Sequence, residues 1–164
     1  MEDICVSNIR LLQLSEQVAQ QTFRNVIGIF LGIPFVLIGY DHFICPEIYD
    51  PLVPDYMGNP RFWTILSGIF EIVLGLGIMI PFTRIYSAKS LALLLITLYL
   101  ANLNMWLNDI PFNGAKLSQI GHLIRFIIQV FLVLVCFWLA EINFKKLILK
   151  VIKKALPKEI FRAR

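Results

Sequence analysis

Four long apolar runs alternate with short polar breaks between Arg24 and Glu141. A helix rises 1.5 Å per residue, so about 20 apolar residues cross a ~30 Å hydrocarbon core. On that measure the spans lie at about 24–43, 62–81, 86–106 and 120–140. Asn25 to Tyr40 and Ser90 to Asn108 carry no charge at all. The pattern predicts an all-α protein, an integral membrane four-helix bundle with a basic amphipathic C-terminal helix. Three regions follow: an N-terminal segment over 1–23, the bundle over 24–141, and a tail over 142–164.

The breaks read differently from one another. Residues 44–60 hold four prolines, one glycine and three acids, which exclude a span. Seventeen residues is long for a bundle connection and suggests a lid. The second break, with Arg84 and Lys89, is a short turn. Residues 107–119 form the third, with Asp109, Pro111, Gly114 and Lys116. Gly28 and Gly32 have the GxxxG spacing, which lets helices approach closely, although glycine is also simply common in membrane helices. Gly68 and Gly75 add positions for close packing, and Pro34 is expected to kink the first span. Leu11, Leu14 and Val18 could form the apolar stripe of a short N-terminal surface helix.

In the tail, Phe144, Leu147, Ile148, Val151, Ile152 and Ala155 recur at helical spacing, with Lys145, Lys146, Lys150, Lys153 and Lys154 between them. A basic amphipathic helix directly after a span suits an anionic membrane surface.

Composition agrees with a membrane protein: 164 residues, 58% hydrophobic, mean hydropathy +0.74. The net charge of +4 does not indicate nucleic acid, because the basic residues gather at helix ends and in the tail. Twelve of the fifteen Lys and Arg residues fall on one side of the predicted topology, two on the other, and Arg125 within a span. The positive-inside rule then places both termini in the cytoplasm, with 44–60 outside. No cleavable signal peptide is evident: the start MEDIC is acidic, and the first long apolar run begins only after Arg24. Cys5, Cys45 and Cys136 form no CxxC pair; Cys136, in an apolar run, reads as a small packing residue.

Polar residues inside the spans are the candidates for function, because an intramembrane charge costs about 2.5–3.5 kcal/mol or more and must find a partner. Glu71 lies near the middle of the second span, with Ser67 one turn before it on the same face. Arg125 and Gln129 share a face of the fourth span, Asn102 ends the third, and His42 closes the first. The topology brings His42, Ser67, Glu71, Asn102, Arg125 and Gln129 to one depth range in the outer half. The expectation is an ion pair between Glu71 and Arg125, with Ser67, Asn102 and Gln129 as hydrogen-bond partners. It serves either to fix helix register or to line an outward-opening pocket for a polar headgroup or redox ring, with Glu71 as a proton carrier. His42 and His122 could approach each other on the outer face, but no metal site is assigned.

Gly39-x-x-His42-Phe43, Val53-Pro54, Ser67-Gly68-x-x-Glu71 with Gly75-x-Gly77, Asn102, and Arg125-x-x-x-Gln129 occur in this order. The set, over about 25–140, resembles the DoxX-like family of small four-span bacterial membrane proteins. That resemblance implies a bacterial inner membrane and an accessory subunit of a redox or oxidative-stress system. Its partners would be a quinone or lipid, other membrane or redox proteins, and the bilayer. The resemblance extends more distantly to sterol-isomerase-like and sigma-2-receptor-like bundles, whose buried acids meet a ligand. It therefore also admits a lipid- or sterol-modifying enzyme or carrier with Glu71 as acid/base, or a structural partner without a ligand. No catalytic motif stands apart from the resemblance. No cofactor is evident from the residues, and quinone is the one the resemblance suggests.

Overall fold

The computed structural model describes residues 2–142, with side chains from Leu12 onward. The tail and its predicted amphipathic helix lie outside the described residues. The protein is all-helical: α1 (Glu2–Ile44), α2 (Pro46–Tyr49), α3 (Pro60–Met79), α4 (Arg84–Leu107) and α5 (Gln119–Leu139). Four helices are long and apolar enough to cross a bilayer, at Leu12–Ile44 and in α3, α4 and α5. The protein is an integral membrane protein, and the four spans match those read from the hydrophobic pattern to within about two residues, apart from the start of the first.

That start is a correction. The N-terminal segment is not a separate short helix but the first part of α1, which runs unbroken for 43 residues. No glycine or proline occurs before Gly28, so nothing ends the helix between the segment and the span. The helix also continues through Pro34. Leu14 and Val18 are exposed rather than packed.

Helix starts are capped locally. Phe62 N–H donates to Asn59 Oδ1 at 3.4 Å, with Pro60 at the first helical position. Gly121 N–H donates to Ser118 Oγ at 3.2 Å. Each later span buries one heptad-like stripe. In α3 it is Thr64, Gly68, Glu71, Gly75 and Ile78. In α5 it is His122, Cys136 and Leu139 with half-buried Arg125, Gln129 and Leu132 between them. In α3 and α5 the stripe is polar towards the end with the long connections and apolar towards the other. The apolar core sits there, built on Leu31, Phe35, Ile78, Leu91, Leu95, Cys136 and Leu139.

Glycine decides which helices touch. A Cβ on Gly32 would stand 2.5 Å from the Gly75 carbonyl, and one on Gly39 would stand 2.7 Å from the Gly68 carbonyl. The backbones of α1 and α3 are therefore nearly in contact, which settles the GxxxG spacing as a packing device. On its other side α3 packs on α4, and α4 packs on α5.

The end of the bundle opposite the long connections is fastened by arginines. Arg84, only 3% exposed, donates from Nε to the Ile78 carbonyl at 3.0 Å and from Nη1 to Asn25 Oδ1 at 2.8 Å. It thereby serves the last carbonyls of α3. Arg24 pairs with Glu141 and donates to the Trp138 carbonyl at 2.8 Å, tying α1 to the end of α5.

Candidate functional site

The six polar residues singled out in the sequence line one cavity of about 860 Å³ between the helices. α1 brings His42, α3 brings Ser67 and Glu71, α4 brings Asn102, and α5 brings Arg125 and Gln129. The remaining walls are almost wholly apolar, with Phe35, Leu94 and Leu132 deeper in the bundle. Phe30 and Val73 line the cavity while being 73% and 58% exposed, so it is continuous with the surface that faces lipid.

The expected ion pair is not formed. The partner beside Glu71 is His42, whose Nδ1 lies 4.0 Å from Oε2. The reason is the glycine contact: it presses α1 on α3 and delivers His42 onto the Glu71 face. Arg125 turns the other way. Its Nη1 donates to Met105 Sδ at 3.0 Å, and its guanidinium stands 5.1 Å from the Phe112 ring centroid, a cation–π contact. Glu71 is eleven residues into α3 and Arg125 six into α5, so their backbones differ in depth by roughly 7 Å.

Glu71 is buried, and its Oε2 has no hydrogen-bond partner among the described residues. The hydroxyl of Thr64, one stripe position nearer the long connections than Gly68, is likewise buried and unbonded. Two orphaned polar groups in one apolar cavity are unusual, because each costs about 1–3 kcal/mol if nothing satisfies it. Ser67 Oγ donates to the Thr64 carbonyl at 3.0 Å and stands 3.3 Å from His42 Nδ1. Gln129 Nε2 donates to the Leu95 carbonyl at 2.6 Å, so part of its role is to join α5 to α4. Asn102 lines the wall, while its neighbour Asn104 donates to the Leu52 carbonyl at 3.1 Å.

The connection 45–59 covers the end of the cavity. It folds into α2 and two 3₁₀ turns, Asp50–Leu52 and Asp55–Met57, and buries Leu52. Trp63 Nε1 holds it by donating to the Met57 carbonyl at 2.7 Å, and Arg61 holds it by pairing with Asp50 at 2.8 Å. The Tyr49 ring meets His42 edge to face at 3.9 Å and continues to Phe112 at 5.7 Å. Burial raises the Tyr49 phenol above its ordinary value of 10.0; nearby Asp41, Glu71 and Cys45 raise it further, as does a hydrogen bond to Asp41.

Sequence reasoning missed Thr64, Tyr49, Met105 and Phe112. Thr64 was legible as the residue one heptad before Glu71; the others depend on how the connections fold. The two histidines have different ring partners: His122 stacks on Trp106 at 5.5 Å, whereas His42 meets Tyr49. Among the described residues no three His, Cys, Asp or Glu side chains are grouped to hold a metal.

Fold and site together define a four-helix membrane bundle enclosing an apolar cavity with a polar head region. The chain belongs to the family described as "Domain of unknown function (DUF8561)", which matches residues 31–140. No curated protein and no solved structure matches it. The matched stretch contains all six cavity residues named from the sequence, and the family's description assigns no activity.

Proposed function

We propose that this protein binds a membrane-soluble amphiphile of quinone or lipid type. The polar head lies among His42, Ser67, Glu71 and Arg125, and the apolar body lies between the helices. The unbonded Oε2 of buried Glu71 carries this reading, because a purely structural cluster leaves it without a partner. Arg125 supports it as well: it lines the same cavity and, among the described residues, has no carboxylate partner. A head that donates to Glu71 and accepts from Arg125 would bridge two charges that do not meet. The cavity volume is in the range of ligand sites, about 300–1,000 Å³.

The DoxX-like resemblance points the same way and makes the amphiphile a quinone, in an accessory subunit of a redox or oxidative-stress system. Action on a lipid, with Glu71 as acid/base, is the alternative. The excess of Lys and Arg on the side of Arg24 and Arg84 supports both termini in the cytoplasm, and the resemblance makes the membrane a bacterial inner membrane.

The test is native mass spectrometry of gently extracted protein, followed by organic extraction and identification of what co-purifies. A quinone or lipid should accompany the wild type and be lost, by roughly tenfold or more, in Glu71→Gln and Arg125→Gln. An empty wild type, or variants that keep the molecule, would overturn the reading.

A further inference from the structure

The opposite end of the bundle poses a separate question of charge balance. Arg24 and Arg84 face one small pocket of about 160 Å³, together with Gln21 and Glu141. Arg84 is buried, and its hydrogen bonds go to neutral acceptors: the Ile78 and Met79 carbonyls and the Asn25 amide. Arg24 takes Glu141, which is half exposed, and the Trp138 carbonyl, while its Nε is buried without a partner. Among the described residues, two guanidinium groups thus share a single carboxylate. A buried cation without a counter-charge is costly, and one anion would balance this one.

We propose that this pocket is a second binding site, for a phosphate-type oxyanion, supplied by a lipid headgroup or by free phosphate. The guanidinium fork matches tetrahedral oxyanions, and Gln21 adds a donor. A water occupies about 30 Å³ of liquid, so the pocket holds a phosphate group with water to spare. Its position is that of a membrane interface, where basic pockets between helices meet headgroups. Glu141 competes for Arg24, so the carboxylate sets how tightly the anion is held.

The full-length protein, stripped of lipid in neutral detergent, would be titrated with phosphatidylglycerol, with diacylglycerol as the phosphate-free control, and with inorganic phosphate. Native mass spectrometry reads the lipids, and ³¹P line broadening reads phosphate. Binding of phosphatidylglycerol should weaken roughly tenfold in Arg24→Gln and tighten several-fold in Glu141→Gln. The same response to inorganic phosphate alone would make the free ion the source; a response confined to phosphatidylglycerol would make it the lipid. Equal binding of diacylglycerol, or binding indifferent to both variants, overturns the site. Should Arg24→Gln fail to fold, Glu141→Gln decides: no tightening of either ligand overturns it.

Discussion

His42 Nδ1 lies 4.0 Å from Glu71 Oε2, on helices whose backbones meet through Gly39 and Gly68. This contact places Glu71, the one buried acidic residue among the described residues, beside a histidine rather than beside Arg125. It also leaves that carboxylate facing a cavity instead of closing it.

The first expectation concerns coupling. Glu71 and Arg125 make no contact, so in lipid-stripped protein the stability losses of Glu71→Gln and Arg125→Ala should add to within about 0.5 kcal/mol in detergent melts. The His42/Glu71 cycle should exceed that value. With the co-purifying amphiphile restored, the Glu71/Arg125 cycle should become coupled as well, because one head then touches both. Strong coupling without ligand would show an ion pair after all.

Close packing of α1 on α3 gives the second. Gly32→Ala puts a methyl 2.5 Å from the Gly75 carbonyl, a contact that only a backbone shift relieves. It should cost about 1–3 kcal/mol. Gly121→Ala meets its nearest atom, in the Leu117 side chain, at 3.2 Å and should cost much less. Equal melting points for the two variants would contradict the packing.

Tyr49 supplies a pH dependence. Its phenol is held protonated in the fold beyond its ordinary value of 10.0, first by burial and then by Asp41, Glu71 and Cys45. The unfolded chain loses that proton first, so the folded state bears more protons just above pH 10 and stability falls there as pH rises. Below pH 10 the group contributes no slope. Wild type should lose stability more steeply than Tyr49→Phe between about pH 10 and 11; parallel curves would remove Tyr49 from the cover of the cavity.

Topology is the fourth. In a background lacking the native cysteines, Asn59→Cys should react with an impermeant thiol reagent from outside intact cells and Phe82→Cys should not. Phe82 is 91% exposed, so a cysteine there is open to reagent on its own side of the membrane. The reverse labelling pattern would invert the orientation.

The sequence by itself determined the spans and the depth of the polar residues. Both follow from one-dimensional quantities: apolar length against bilayer thickness, and heptad spacing along each helix. That is why Ser67 and Glu71 could be put on one face of α3, and Arg125 and Gln129 on one face of α5, before any contact was known. The tertiary structure decided who meets whom. Periodicity fixes a residue's height and face but not which neighbour that face turns to. Here Gly32 and Gly39 bring α1 onto α3, so His42 rather than Arg125 reaches Glu71. The fold of 45–59 sets Tyr49 over His42, and the short turn after α3 lets Arg84 reach back to the Ile78 carbonyl, where charge counting alone saw only a topology signal.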